Sequence, residues 1–277
     1  MRWLVSLVLF IAMGIGARLY ATRTLERRMI SVHKQGPRTP ATRGMVFEEP
    51  PVDSEGRALH AFYVPADGPA LLIFHGNGES ISGWVDALAL LHKANIAAMV
   101  FDYSGFGNSP GEPTLANFHA DALAAWHTFR VRVPAGTRAC ALGFSLGSGV
   151  LLDAAAELEP KPDCIAVAGA FLSVRKAAVQ RGALPALAQW ILPDALDSLE
   201  NVEHVRQPLL VEHGALDEMF PPSWAAQLAK AHPGGAQVVI VPGMHHPDLV
   251  AHPSDAAWNP VIDFVRGTPA PSAPSAK

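Results

Sequence analysis

A serine lies between two glycines in the stretch ALGFSLGSGV, where Gly143, Ser145 and Gly147 alternate. Apolar runs on both sides predict that a buried strand ends at this serine and that a helix begins after it. A residue at such a sharp turn takes strained backbone angles and needs small neighbours. The turn would raise the hydroxyl above the sheet and place the Leu146 backbone N–H at a helix N-terminus, which favours negative charge. Ser145 is therefore a candidate nucleophile, and the alternative is a helix-capping serine.

A serine hydroxyl needs a base to take its proton, and the base needs a partner that orients it. The segment PLLVEHGALDEMFP places Asp217 just after an apolar strand pattern, and QVVIVPGMHHPDL places two histidines just after the next one. This is the chain order serine, acid, histidine. Asp217 is the candidate acid, and His245 and His246 are both candidates for the base.

Other groupings of these polar residues are weaker. Glu212 and Glu218 are rival carboxylates, but the first lies inside the strand pattern, while Asp248 is expected to hydrogen-bond nearby backbone in a loop. A metal site made of the two histidines, Asp248 and His252 lacks the helical spacing of common zinc sites. The sequence therefore predicts no metal and no cofactor.

Acyl transfer also requires hydrogen-bond donors for the developing oxyanion. The stretch LLIFHGNGES ends an apolar strand pattern in a glycine-rich loop, and the Asn77 backbone N–H in that loop is the candidate donor beside Leu146. A phosphate-binding loop is the alternative, but neither a G-x-G-x-x-G pattern nor a Walker lysine is present. His75 is expected to stabilise the loop rather than to act in catalysis.

Size and charge limit the remaining possibilities. The 277 residues are 49% hydrophobic, which is ample for one large core, and the net charge of −4 excludes a basic nucleic-acid surface. Two cysteines, Cys140 and Cys164, are too few for a disulfide framework. Each begins an apolar run, so the sequence leaves open reduced core cysteines or a single bridge between them.

Short apolar runs alternate with helical patterns along most of the chain, and the runs are continuous rather than alternating. That pattern predicts a mostly parallel, doubly wound α/β sheet with helices on both faces. Two early strands, GMVFEE and LHAFYVP, are expected to be antiparallel. The expected divisions are a linker at residues 30–43, one domain at 44–266 with a small helical cap at about 174–207, and a disordered tail at 267–277.

The N-terminal segment is distinct from this domain. An apolar run at residues 3–17 spans roughly 22 Å as a helix and reaches membrane length only with the residues that follow it. A cleaved signal peptide is the alternative, but the cleavage-site positions are poor. Residues 1–29 are therefore predicted to be a single-pass membrane anchor. The arginines after the run weakly place the domain on the cytoplasmic side.

These segments together resemble the α/β-hydrolase superfamily, and in particular membrane-anchored serine hydrolases with an HGN oxyanion loop. FHGNGES, VFDYSGFGNSPGEPT, LGFSLGS and LLVEHGALDEMFP match in order, and VPGMHHPD matches more loosely, across residues 46–265. Ser104 and Ser148 depart from the residues common in that family. The resemblance implies Ser145 as nucleophile, Asp217 as acid, His246 rather than His245 as base, and Asn77 and Leu146 as oxyanion donors.

The expected activity is hydrolysis of carboxylic esters or thioesters through an acyl-enzyme. The expected partners are a small acyl substrate, such as a lipid-like ester, and a membrane bound by the N-terminal segment. The alternatives are a serine peptidase of the same fold and a non-catalytic binding protein. A dehalogenase or epoxide hydrolase is disfavoured because the resemblance would then require aspartate in place of Ser145.

Overall fold

The computed structural model describes Ser6, residues 13–16, Thr24 and residues 30–268 except 184, 193 and 194. Most of the predicted anchor and nearly all of the predicted tail, residues 269–277, lie outside the described residues. In the described part of the chain, no helix is long and apolar enough to cross a membrane. The anchor at residues 1–29 therefore stays a prediction.

The described residues form a seven-stranded sheet in the order β3-β5-β4-β6-β7-β8-β9, beside a small hairpin of β1 and β2. Within the seven-stranded sheet, only the edge strand β3 runs antiparallel to its neighbour. The mostly parallel sheet predicted from the sequence is thus confirmed. The strands are β1 (Val52–Ser54), β2 (Arg57–Leu59), β3 (Ala61–Val64), β4 (Ala70–Phe74), β5 (Ala97–Phe101), β6 (Ala139–Phe144), β7 (Cys164–Ala168), β8 (Leu209–Gly214) and β9 (Gln237–Val241).

Helices cover both faces of the sheet, which explains the continuous apolar runs. Along β4, Leu71 and Ile73 face one hydrophobic cluster while Leu72 and Phe74 face the other, and all four are buried. The helices are α1 (Val85–Lys93), α2 (Leu115–Arg132), α3 (Leu146–Ala154), α4 (Val174–Gln180), α5 (Ser198–Val202), α6 (Ser223–Ala231), α7 (Asp248–Ala251) and α8 (Asp255–Arg266).

Two departures from the sequence patterns concern the end of α3 and the strand GMVFEE. The helical pattern that begins at Leu146 continues to Glu159, but helix α3 ends at Ala154 and the next three residues form turns. Pro160 disfavours a helical conformation only at Glu159, the last residue of the pattern. The predicted strand GMVFEE forms no ladder, and a single antiparallel bridge joins Glu48 to Tyr63. Pro50 and Pro51 follow directly and have no N–H to donate to a ladder.

The segment at residues 30–43, expected to be a linker, packs on the domain. Pro40–Arg43 form a 3₁₀ turn, and Arg38 and Arg43 both pair with Asp86 on α1. Ile30 packs against the main hydrophobic cluster. These contacts mean that the segment is part of the folded surface of the domain rather than a free connection.

The two cysteines face each other on neighbouring strands. Cys140 on β6 and Cys164 on β7 are partners in the parallel register, and their sulfurs form a disulfide. Both residues are fully buried. Of the two alternatives left open by the sequence, the structure has the bridge.

Strand β8 contains a buried acid, Glu212. Glu212 is fully buried, and among the described residues neither oxygen of its carboxyl group has a hydrogen-bond partner. Burial raises the pKa of Glu212 to about 8. The side chain is therefore held in its neutral form at neutral pH.

Glu212 should make the folded state less stable as the pH rises. The unfolded chain loses this proton near pH 4.5, whereas the folded protein loses it only near pH 8. The free energy of unfolding is therefore highest below pH 4.5 and falls as the pH rises to about 8. Between pH 5 and 9 we expect the free energy of unfolding of the wild type to fall by on the order of a few kcal/mol, and Glu212→Gln to abolish this fall. Urea unfolding across this range measures it.

The matched control is Glu203→Gln, since Glu203 is exposed. This variant should follow the pH profile of the wild type. If Glu212→Gln also followed that profile, the buried carboxyl group would not carry the predicted linkage.

Candidate active site

Ser145 lies at the sharp turn between β6 and α3, with φ of 51° and ψ of −115°. A positive φ is uncommon for a residue with a side chain and places the backbone under strain. The Ser145 N–H donates to the Ala168 carbonyl at 3.0 Å, which ties the turn to β7. The side chain is nearly buried and lines a cavity of about 710 Å³.

The flanking glycines are required by space. A Cβ on Gly147 would overlap the Phe74 carbonyl group at the end of β4, and one on Gly143 would overlap the backbone of Gly147 and Ser148. The first turn of α3 can therefore approach the sheet only because both positions lack a side chain. This explains why the sequence places the serine between two glycines.

A chain of hydrogen bonds joins Ser145 to His246 and Asp217. The Ser145 hydroxyl donates to His246 Nε2 at 3.0 Å, and His246 Nδ1 donates to Asp217 Oδ2 at 2.7 Å. All three side chains are buried or nearly so. The three candidate residues from separate segments of the sequence thus meet in the order expected for a nucleophile, a base and an acid.

The carboxylate of Asp217 is held by four donors. The Met219 and Phe220 backbone N–H groups donate to Oδ1 at 2.8 Å each, while His246 and His213 donate to Oδ2. Burial by itself would raise the pKa of Asp217, but hydrogen bonds from His213 and His246 outweigh it and hold the pKa well below its usual range. The residue is therefore an anion suited to stabilise an imidazolium.

The second histidine on this acid, His213, is a residue that the sequence reasoning does not single out. Its Nε2 lies 3.0 Å from Asp217 Oδ2 and 3.1 Å from the Phe220 carbonyl oxygen, and both partners are acceptors, so Nε2 carries the proton. His213 is fully buried at the end of β8. The sequence feature that could have indicated this contact is the position of His213 at the end of a predicted strand, four residues before Asp217 in EHGALD.

The rival candidates lie outside this chain of hydrogen bonds. His245 is exposed and its Nδ1 contacts Glu218 Oε2 at 3.3 Å, away from the serine. Asp248 is the first residue of helix α7 and not a loop residue, but it makes the expected backbone contact, because its Oδ2 accepts from the His245 N–H at 2.7 Å. No group of histidine, cysteine, aspartate and glutamate side chains suited to a metal ion occurs among the described residues.

The candidate oxyanion donors lie on two neighbouring strand ends. Leu146 is the first residue of α3, and Asn77 is in the loop after β4, residues 75–80, here called the oxyanion loop; both residues line the same cavity as Ser145. Glu79 shapes this loop from inside, because its Oε2 accepts from the Gly76 N–H at 2.7 Å and from the Trp84 indole at 3.0 Å. The roles of Asn77 and Leu146 as donors stay predictions.

Comparison with known proteins agrees with this architecture. A family model described as serine aminopeptidase, S33, matches residues 68–200, just under half of the chain. The esterase Pf2001 of Pyrococcus furiosus superposes with a TM-score of 0.70 over 86% of this chain and 99% of its own, at 14% sequence identity. The chain has the α/β-hydrolase fold and is similar to proteins described as hydrolases.

Relatives by sequence extend over more of the chain than the family model does. The uncharacterized protein Rv2307c of Mycobacterium tuberculosis is 29% identical over 257 residues, covering 88% of this chain and 87% of its own. Human alpha/beta hydrolase domain-containing protein 17C is 29% identical over 187 residues, or 67% of this chain and 55% of its own length. The similarity thus spans proteins of bacteria and animals.

The cavity beside Ser145 has a volume of about 710 Å³. Ser145 and His246 line it, and so do residues of the region predicted to be a cap, on α4 and after it. The charged side chains Glu79 and Arg181 also line it. Most of the lining is apolar and includes Leu115, Phe118, Phe144, Leu146, Phe171, Val174, Ala177, Leu192, Leu196, Met219 and Phe220.

The close approach of α3 to the sheet predicts that Gly147→Ala destabilises the protein. The added methyl group would overlap the Phe74 carbonyl oxygen, so we expect a loss of more than about 2 kcal/mol in the free energy of unfolding. Thermal and urea unfolding would measure this loss.

Gly83→Ala is the matched control, because a Cβ at Gly83 would meet no atom within 4 Å and the backbone there is helical. This control should change the stability by less than about 0.5 kcal/mol. Equal stability of the two variants would contradict the proposed packing of the turn.

Proposed function

We propose that this protein is a serine hydrolase that cleaves carboxylic esters or thioesters through an acyl-enzyme. The observation that carries the proposal is the chain of hydrogen bonds from Ser145 through His246 to Asp217, at the wall of an apolar cavity. A serine that only capped a helix would not need a buried histidine with a buried carboxylate behind it.

In the proposed reaction, the Ser145 oxygen attacks the carbonyl carbon while its proton passes to His246 Nε2. The carbonyl oxygen becomes an oxyanion that the Asn77 and Leu146 N–H groups stabilise. His246 then gives the proton to the leaving alcohol or thiol, and the acyl group remains on the serine. Water repeats these steps and releases the acid, with the proton moving again through His246.

The cavity supports an acyl chain as the group bound beside the serine. Aromatic and aliphatic side chains supply most of its lining, so each methylene that enters is removed from water. Lipid-like esters would gain most from this surface. The proposal on chain length rests on this composition and on the cavity's volume of about 710 Å³.

A serine aminopeptidase is the second candidate, because the matching family model has that description. Such an enzyme needs a free carboxylate for the substrate's amino terminus. Glu79 lines the cavity, but its Oε2 already accepts from Gly76 and Trp84, and burial raises its pKa. These contacts favour an ester substrate over a peptide.

Labelling with a fluorophosphonate probe tests the proposed nucleophile and base. We expect the wild type to be labelled, Ser145→Ala not at all, and His246→Ala more than about a hundredfold more slowly, because the base is lost. His245→Ala is the matched control and should react like the wild type, since its ring is exposed and contacts Glu218.

The opposite pattern would assign the base to His245. No labelling of a folded wild type would instead favour the non-catalytic binding protein.

A substrate panel tests the acyl-chain proposal. We expect kcat/KM for p-nitrophenyl esters to rise from acetate to octanoate, by up to about fourfold per buried methylene, since each contributes about 0.8 kcal/mol. Aminoacyl p-nitroanilides are the control and should be poor substrates. Equal rates on short and long esters would contradict the acyl-chain proposal, and cleavage of the anilides alone would support the aminopeptidase.

A further inference from the structure

The segment just before the hydrolase domain lies across the oxyanion loop. We call residues 30–36 the strap. Ile30, Ser31 and His33 line the cavity together with Ser145. The far end of the strap is held by the Gly36 N–H, which donates to Ser82 Oγ at 2.9 Å. A stretch with the composition of a linker thus forms part of the wall of the candidate active site.

Reciprocal hydrogen bonds connect the strap to the oxyanion loop. The Ser31 backbone N–H donates to Asn77 Oδ1 at 2.8 Å, and the Gly78 N–H donates back to the Ser31 carbonyl at 3.0 Å. The His33 imidazole Nδ1 bonds the Gly78 carbonyl oxygen. The strap therefore binds the side chain of Asn77 and both polar groups of the Gly78 peptide.

The strap is also fixed to the loop after β5. The Gly107 N–H donates to the His33 carbonyl at 2.9 Å. Glu79 holds the oxyanion loop from the inside through Gly76, at the position before Asn77. Glu79 thus holds the loop at Gly76, and the strap holds it at Asn77 and Gly78. These contacts lie on either side of the peptide that carries the candidate oxyanion donor, the Asn77 N–H.

We propose that the strap positions the oxyanion loop for catalysis, with Ser31 and His33 as positioning residues that act through Asn77 and Gly78. This inference rests on the proposed hydrolase function. Preorganised donors stabilise an oxyanion only when they are held at the correct place before the reaction, so a loosened loop lowers the rate of the chemical step.

A pair of substitutions at one position in the full chain isolates the critical bond. Ser31→Pro removes the backbone N–H that Asn77 accepts from, whereas Ser31→Ala keeps it. Loss of a whole oxyanion donor costs roughly 10²–10³ in kcat, so we expect Ser31→Pro to lower kcat at least about tenfold. KM should stay within about twofold, and Ser31→Ala should lose less kcat than Ser31→Pro because it keeps this N–H.

Binding of a trifluoromethyl ketone with the same acyl chain separates positioning from a general structural effect. Its adduct with the serine carries an oxyanion, so its affinity should fall in Ser31→Pro by about the same factor as kcat. A merely structural role would lower the melting temperature or raise KM without this match.

A double-mutant cycle with Asn77→Ala tests whether Ser31 acts through Asn77. Asn77→Ala keeps the backbone N–H at that position but deletes the side-chain oxygen that Ser31 binds. We expect the double variant to lose no more kcat than the larger single loss, because both changes remove the same bond. Losses that multiply would overturn the proposed path.

His33→Ala keeps the inference testable if Ser31→Pro does not fold. It removes the contact of the imidazole with Gly78, and His92→Ala is the matched control because His92 is exposed on α1. We expect a loss of about threefold or more in kcat for His33→Ala and none for His92→Ala. If the wild type is active and kcat is unchanged in Ser31→Pro and His33→Ala, the strap inference is overturned but the hydrolase proposal is not. A wild type that neither hydrolyses esters nor reacts with the probe would overturn the hydrolase proposal as well.

Discussion

The positive φ of Ser145 is the constraint on which the geometry of the whole site depends. A residue with a side chain adopts this conformation only when its surroundings hold it there. The surroundings are the Ser145–Ala168 hydrogen bond and the contact of Gly147 with the end of β4. Because the turn is tied to two neighbouring strands, the serine oxygen is fixed relative to the loops that those strands carry.

Hydrogen bonding at Asp217 sets the electrostatics of the site. A carboxylate with so little exposure to water keeps its charge only because two backbone donors and two imidazoles share it. His246 is thereby oriented with Nε2 toward the serine, and His213 occupies the remaining position on Oδ2. Glu212 on β8 shows the contrast, because among the described residues its carboxyl oxygens have no hydrogen-bond partner and burial raises its pKa, so the side chain stays neutral.

The oxyanion loop is stabilised by parts of the chain that are far apart in sequence. Glu79 binds it from within the domain, and the strap binds it from the N-terminal side. An active-site loop held in this way needs less reorganisation during the reaction. Because the strap contributes to this support, the candidate active site also depends on residues outside the region 68–200 that the family model matches.

The sequence by itself determined the sheet, the helices and three separated candidate residues, because continuous apolar runs, glycine spacing and strand-end positions are local signals. The helical patterns at residues 115–132 and 255–266 even coincide with the bounds of α2 and α8. Only the tertiary structure decided that His246 rather than His245 faces Ser145, that Cys140 pairs with Cys164, and that His213 also binds Asp217. The strap, too, reads as an ordinary linker in sequence. These features depend on contacts between distant segments, and the register and packing that create such contacts have no local signature.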